Sequence, residues 1–353
     1  MERTPLKEGA AVSYPKPLSE KSLQRLYSES ALSERKIAFL RSFFTACANL
    51  YGAFLAEDAW DVYGELSSKA AVVKLQRKDM YKALSILRRE DDPFYVFEAD
   101  EVYTEEKRID KYRVIALREL VPAGYGKFVN LYSVIETSQG KPFYVPENLL
   151  AYEVMPASSY ELKLLDMLSH LESTLDEYED VGGHMRPCLY KGKRLSDFSY
   201  ISGSEAFELK CLRGEVDGYK DNAKKAEELE KRLNSVTAAE YLVDNLRWRS
   251  HVGRVPLSRS LEYFLDDLNI MGVELSRKGL FDEILRAVNN MHNHQHLWCN
   301  HGWSPEELSR HMPAGGITSL SFGPNMQRAF AEGAMDKDEL IRELNKMGIE
   351  VLE

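Results

Sequence analysis

Residues 77–97 read Arg-Lys-Asp-Met-Tyr-Lys-Ala-Leu-Ser-Ile-Leu-Arg-Arg-Glu-Asp-Asp-Pro-Phe-Tyr-Val-Phe. Two periodicities meet inside this stretch. Up to Arg89, Met80, Ala83, Leu84 and Leu87 recur at spacings of three and four, which places them on one side of an α-helix. Lys78, Lys82, Ser85 and Arg89 share a different face of that helix. Phe94–Phe97, aromatic and β-branched, then reads as a strand, and Val102–Tyr103 as its partner across a turn.

Upstream, Ser33 is an N-cap for a helix with Ile37, Phe39, Leu40, Phe43, Phe44 and Cys47 as a broad apolar stripe. Gly52 interrupts that stripe. Ala56–Leu66 is a second helix, and Ala70–Leu75 a short β-like run. The expected order is therefore helix, helix, short strand, helix, hairpin, the order of a winged-helix domain.

Downstream, residues 105–155 are mixed. Tyr160–Leu175 reads as an amphipathic helix that turns Leu162, Leu165 and Leu168 inward, with Leu164 and Leu171 as further candidates. Gly182-Gly183, Pro187, Gly192 and Gly203 mark an irregular insertion. Asp221–Leu233 is a highly charged helix, and Thr237 with Glu240 forms a capping box for the next one. Leu261, Phe264, Leu265 and Leu268 form one further helical stripe; Leu280, Phe281, Ile284, Leu285 and Val288 form another. Lys337–Met347 is a last helix, closed by Gly348.

The fold expected is mainly α within the α+β class, a winged-helix-like domain followed by an α-helical domain. Its divisions are an arm over 1–33, the winged-helix-like domain over 34–110, a mixed connector over 111–215 and a helical domain over 216–353.

The chain has 353 residues, 44% hydrophobic and 29% charged, with a net charge of −10. That composition is globular. The net charge repels nucleic acid and anionic lipid, so any nucleic-acid contact requires a local basic patch. No apolar run approaches the ~18 residues of a membrane span. Residues 1–33 are polar and lack the apolar core of a secretion signal. Cys47, Cys188, Cys211 and Cys299 show no CxxC spacing. A reduced, cytoplasmic setting is expected.

One basic patch is present. Lys69, Lys74, Arg77, Lys78, Lys82, Arg88 and Arg89 face a single acid, Asp79, across 69–89, a local balance of +6. A recognition helix needs an apolar side that anchors it and a basic side that reaches phosphates and base edges. Lys74, Arg77, Lys78, Lys82, Arg88 and Arg89 are the candidate nucleic-acid-binding residues, with Lys107 and Arg108 on the proposed wing. The alternative is a solvated helix whose charges pair with Glu57, Asp58, Asp61, Glu90, Asp91 and Asp92.

A second concentration of chemistry lies at 289–308, Asn-Asn-Met-His-Asn-His-Gln-His-Leu-Trp-Cys-Asn-His-Gly-Trp-Ser-Pro-Glu-Glu-Leu, with four of the eight histidines. His292, His296, Cys299 and His301 are candidate zinc ligands, and His292 and His296 stand one helical turn apart. Asn293 occupies the position where an HExxH motif has its glutamate. The competing reading makes these histidines packed or helix-end residues, favoured there by the macrodipole.

Three stretches carry a resemblance: Ala48-Asn49-Leu50-Tyr51-Gly52 with Glu57-Asp58-Ala59-Trp60-Asp61-Val62-Tyr63; Gln139-Gly140-Lys141-Pro142-Phe143-Tyr144-Val145-Pro146; and Leu297-Trp298, Asn300, Gly302, Ser304-Pro305 and Glu307-Leu308. In order and spacing they resemble uncharacterised bacterial proteins that often carry a C-terminal SEC-C motif, a small cysteine-rich zinc element first seen in the SecA translocation ATPase. The resemblance implies no activity and no catalytic residue. No cysteine follows Cys299, so the zinc role of SEC-C does not carry over. In such relatives the positions of His294, Gln295 and His296 are commonly polar or basic residues other than histidine, which argues against a shared metal site.

Enzyme motifs are scarce. Gly182-Gly183 and Gly315-Gly316 lack the Lys-Ser/Thr of a phosphate loop, and there is no G-x-S-x-G elbow. Asp176, Glu177, Glu179, Asp180 and His184 form an acidic group that reads as a solvated loop before it reads as a cation site. The expectation is a non-enzymatic binding or adaptor protein, with DNA or RNA as the first partner. The alternatives are a protein–protein scaffold, and a metal-dependent enzyme at 292–301. No membrane partner and no resident cofactor other than a possible zinc are expected.

Overall fold

The structure, a computed structural model, describes residues 14–103, 109–121, 128–174, 180–181, 184–185, 191–200, 203–216, 221–275, 279–311, 319–321 and 350–352. It is mainly helical. The chain divides into two compact units, Met1–Ser304 and Pro305–Glu353.

The larger unit begins with α1 (Glu20–Ser30), α2 (Glu34–Tyr51), β1 (Ala53–Leu55), α3 (Ala56–Lys69), α4 (Arg77–Leu87), β2 (Phe94–Phe97) and β3 (Val114–Leu117). The Ser33 hydroxyl accepts from the Lys36 amide and starts α2. Gly52, at φ +70°, ends α2 and turns the chain into β1. Asp58 accepts from the Leu55 amide (2.9 Å) and Asp79 from the Gln76 amide (3.0 Å), each satisfying a donor at a helix start. Lys36 reaches Asp79 at 2.6 Å and links α2 to α4.

The sheet is antiparallel, in the order β1-β3-β2, with Phe54 opposite Ile115 and Val96 opposite Ile115 from the other side. This corrects the strand positions expected from sequence. Ala70–Leu75 is not a strand: the Tyr63 hydroxyl donates to the Val73 carbonyl (3.0 Å) and accepts from the Leu75 amide (2.9 Å), so part of its backbone bonding goes to a side chain. The partner of β2 is Val114–Leu117 rather than Val102–Tyr103. All four β3 positions are buried, which removes the polar–apolar alternation that would have revealed the strand.

After β3 come α5 (Val129–Ser138), α6 (Ser159–Ser169), the two-residue strands β4 (Asp180–Val181) and β5 (His184–Met185), α7 (Gly203–Leu212), α8 (Ala223–Asn234), α9 (Ala238–Val252), α10 (Leu257–Ile270) and α11 (Leu280–His294). Thr237 and Glu240 form the expected capping box of α9. In α6 the stripe is rotated from the expected phase: Leu164 and Leu168 are buried, whereas Leu162 is 54% exposed.

Two apolar cores fill this unit. The first runs from Leu32 to Tyr152 and takes in Val252 and Trp298. It is aromatic, with Phe43 against Phe44 at 5.6 Å and Tyr51 against Phe54 at 5.9 Å. The second runs from Leu164 to Met291 and is built by α6, α9, α10 and α11 with the 195–200 segment. The first core continues past residue 110, since β3 is the central strand of its sheet.

In the smaller unit, α12 (Pro305–His311) precedes a parallel pair, β6 (Ser319–Ser321) and β7 (Glu350–Leu352). The helix read at Lys337–Met347, Gly348, Lys107 and Arg108, and most of the acidic group at 176–179 lie outside the described residues. Among the described residues no helix is long and apolar enough to cross a membrane.

Candidate functional site

The basic residues of 74–89 separate into two sets. Lys74, Lys78, Lys82 and Arg89 are exposed, while Met80, Ala83, Leu84 and Leu87 are buried on the opposite side of α4. Lys82 Nζ donates to the Ser30 carbonyl at 3.1 Å, and the Leu18 amide donates to the Arg89 carbonyl at 2.9 Å, so α1 and its approach border this face. Arg77 and Arg88 are committed within the fold. Arg77 pairs with Glu57 at 3.3 Å. Arg88 forks onto both carboxylate oxygens of Glu101 (2.5 and 2.6 Å), donates to the Val96 carbonyl, and lies 4.9 Å over the Tyr14 ring. It ties α4 to β2.

The histidine stretch is a junction. His294, His296 and His301 each place Nδ1 against a backbone carbonyl, those of Asn290 (2.8 Å), Gly302 (2.6 Å) and Lys141 (2.9 Å). A carbonyl only accepts, so these nitrogens carry the proton. His296 Nε2 then accepts from the Tyr152 hydroxyl at 3.3 Å. His292 faces the Ser250 hydroxyl, and the buried Cys299 thiol donates to the Ser250 carbonyl. Burial holds the His292 and His301 imidazoles below their ordinary pKa and the Cys299 thiol above its own. An Nδ1–carbonyl bond also orients zinc-ligating imidazoles. Convergence is what the candidate ligands lack: among the described residues no three His, Cys, Asp or Glu side chains gather as a metal site requires.

The three stretches that carry the resemblance meet here. Trp298 Nε1 donates to the Asn49 carbonyl at 2.7 Å, and the indole lies where a Cβ on Gly52 would fall, 2.7 Å away. A Cβ on Gly302 would stand 2.9 Å from Leu50 and 3.0 Å from Tyr51. Lys141 Nζ donates to the Cys299 carbonyl (2.7 Å) and to Asn300 Oδ1 (2.8 Å). His301 stacks on Phe143 at 3.9 Å. Trp298, Gly302 and Lys141 thus have structural roles.

Between the two cores lies a cavity of about 570 Å³, within the size range of small-molecule sites. Its walls include Asn49 at the end of α2, Tyr152, Trp248 and His251 on α9, and the 294–298 segment. His251 is 4% and Gln295 5% exposed. Trp298 stacks on His251 at 4.4 Å and meets Trp248 edge-on at 5.5 Å. Gln295 Nε2 lies 3.0 Å from His251 Nε2, while His251 Nδ1 and Gln295 Oε1 are buried without a hydrogen-bond partner. Burial first, then the charge of Arg247, hold the His251 imidazole down to about 3. The acids on the wall, Glu119, Glu161, Glu205 and Asp244, outnumber Arg232 and Arg247. Arg247 is engaged by Glu161 at 3.0 Å and Asp244 at 2.7 Å. Sequence reading missed this site. His251 on α9 and Gln295 in the segment after α11 are about forty positions apart, and of the wall residues Asn49, Gln295, Trp298 and the histidines at 294 and 296 stood in stretches that drew notice.

No family model matches the chain, and no curated protein or solved structure shows significant similarity to it.

Proposed function

We propose that this protein is a non-enzymatic binding protein whose N-terminal module is of the winged-helix type and offers α4 to DNA or RNA. One observation carries the reading: Lys78 and Lys82 are exposed on the side of α4 opposite its buried anchor of Met80, Ala83, Leu84 and Leu87, and Arg89 is exposed in the turn that follows the helix. The element order helix–strand–helix–helix–strand–strand and the sheet order β1-β3-β2 support it. In such modules the last helix before the hairpin enters the groove, and lysines at its surface neutralise phosphates. Lys74, just before α4, extends the face. Arg77 and Arg88 serve the fold in this reading. The proposal includes kinship with the SEC-C-associated bacterial proteins, supported by the meeting of the three resembling stretches at one junction.

The test is fluorescence anisotropy with mixed duplex DNA and RNA at about 50 and about 200 mM salt. The expected result is affinity that falls with salt. In the Lys78→Ala/Lys82→Ala/Arg89→Ala protein, the log–log salt slope should shrink by about 2.7, since each phosphate contact contributes about 0.9 on B-DNA. Absence of binding at low salt, or equal binding by the triple variant, would sink the reading. A protein–protein scaffold would then take its place, a role that suits the way α1 borders α4 through Lys82 and Ser30.

A further inference from the structure

Four contacts tie the segment before α2 to α4 and to the strand that follows it. The Tyr14 hydroxyl accepts from the Val96 amide at 3.0 Å, and its ring packs on Tyr95 (4.7 Å) and Phe97 (5.2 Å). The Leu18 amide donates to the Arg89 carbonyl, the Tyr27 hydroxyl to the Glu90 carboxylate, and Lys82 Nζ to the Ser30 carbonyl. From Lys82 to Arg89 these contacts span two turns, about 10 Å of helix. On the same flank, one turn from Lys82, stands Ile86, 5% exposed yet a member of neither apolar core. α1 thus lies against the edge of the basic face.

Its attachment is slight. No residue of α1 is buried; Leu23, Leu26 and Tyr27, which share one face, are half-buried. Leu32, just beyond, is fixed in the first core. Between them Ala31 has φ +57°, a left-handed backbone that is unfavourable for any residue with a Cβ. Lifting α1 away would give up a few polar bonds and partly covered apolar surface, relieve Ala31, and leave both cores intact. Segments with so little burial open at the low end of a fold's stability range. A duplex, in turn, needs the room. Its major groove is about 12 Å wide and an α-helix with side chains about 10–12 Å across, so the groove admits α4 alone and not α4 with a second helix on its flank.

We propose that α1 is an autoinhibitory strap: docked, it keeps α4 out of the groove of duplex DNA, and DNA binds the form in which α1 has swung away on Ala31. This rests on the reading of α4 as a nucleic-acid face. The parent protein binds DNA with an affinity lowered by the fraction of molecules whose strap is open.

Two measurements on the full chain test it. Proline requires φ near −65°, so Ala31→Pro removes the docked path of the chain without touching α4. Fluorescence anisotropy with mixed duplex DNA at about 50 mM salt should show this variant binding about tenfold or more tighter than the parent. If Ala31→Pro does not fold, Tyr27→Phe replaces it; it deletes only the hydroxyl bonded to Glu90, and the expected gain is about threefold. The second measurement is amide hydrogen exchange of the parent with and without the same DNA. Amides of 20–30 should exchange faster in the complex while those of 77–89 slow; a ligand that only stabilised the fold would slow both. Equal affinity of parent and variant, or slower exchange in α1 with DNA bound, would overturn the strap and leave the α4 reading standing. Failure of both proteins to bind DNA would end both.

Discussion

The exposed face of α4 and the 292–304 segment are the two places where this sequence concentrates chemistry, and the fold uses them in opposite ways. Lys78 and Lys82 have their charges at the surface of a helix whose other side is anchored, with Lys74 and Arg89 exposed just before and just after it. In the 292–304 segment the imidazoles, the thiol and one indole are turned toward carbonyls, a hydroxyl and neighbouring rings of the same chain. Residue type suggests a metal site in the second case; the hydrogen bonds of the segment show that it also serves as a joint of the fold. Each of these donors already has an acceptor within the fold, as buried polar groups generally do. The comparison predicts that substitutions at the joint act on stability and those on α4 act on binding.

The largest expected effect is at Trp298. Truncation to Ala removes a nearly buried indole and leaves the Asn49 carbonyl without its donor, for a loss of about 3–5 kcal/mol. Gly52 sharpens the test. Gly52→Ala is costly in the parent, because its Cβ would meet the indole at 2.7 Å and its φ is +70°. In the Trp298→Ala background the contacts with the indole carbons are gone, and what remains is the retained Cβ, 2.9 Å away, and the backbone strain of the positive φ. Urea denaturation of the four proteins in this cycle should therefore show non-additivity of at least about 1 kcal/mol. Strict additivity would mean that Gly52 and Trp298 do not share the contact described.

A smaller effect follows from His251. Its folded pKa, about 3, lies below the ordinary 6.5. Above pH 6.5 the imidazole is neutral in both states and contributes no pH dependence. As pH falls below 6.5 the unfolded chain takes up a proton that the folded chain refuses, so stability is lost progressively down to about pH 3. Between pH 7 and pH 5 the loss from this one group is about 2 kcal/mol, at up to about 1.4 kcal/mol per pH unit. His292 and His301, also held low by burial, act with the same sign. His251→Phe should flatten the stability–pH profile over this window, read as the difference between denaturation midpoints at pH 7 and pH 5. An unchanged slope would place the His251 ring in contact with water.

Much of this fold is legible because it is local. The Ser33 cap, the Thr237–Glu240 box and the buried faces of α10 and α11 follow from short-range spacing. What escaped is set by distant partners. β1 is three residues long and β3 is buried on every position, so neither shows a period. Leu162 and Leu164 are equally apolar, and packing of α6 against α9 and α11 selects Leu164. On α11, Phe281 stays 41% exposed although it fits the apolar stripe. The candidate site divides along the same line. The exposed lysines of α4 are readable from one helix, whereas Arg88 is withdrawn by Glu101, thirteen residues away, and the His251–Gln295 pair exists only once α9 meets the segment after α11.

The smallest expected effect on stability is the one that most directly separates the two regions. Lys78, Lys82 and Arg89 are exposed, and at the two lysines, which lie within α4, Ala is the stronger helix former. Lys78→Ala and Arg89→Ala should each stay within about 0.5 kcal/mol of the parent. Lys82→Ala gives up one exposed hydrogen bond to the Ser30 carbonyl, and should lie at the destabilised edge of that range. Arg88→Ala is the internal control: it breaks a nearly buried fork to Glu101 and the bond to Val96, so it should cost several times more than any of the three. Thermal unfolding of the four single variants reads this order. If Arg88→Ala were as mild as the others, the division of the basic helix into a surface set and a structural set would fail, and with it the choice of Lys78, Lys82 and Arg89 as the binding face.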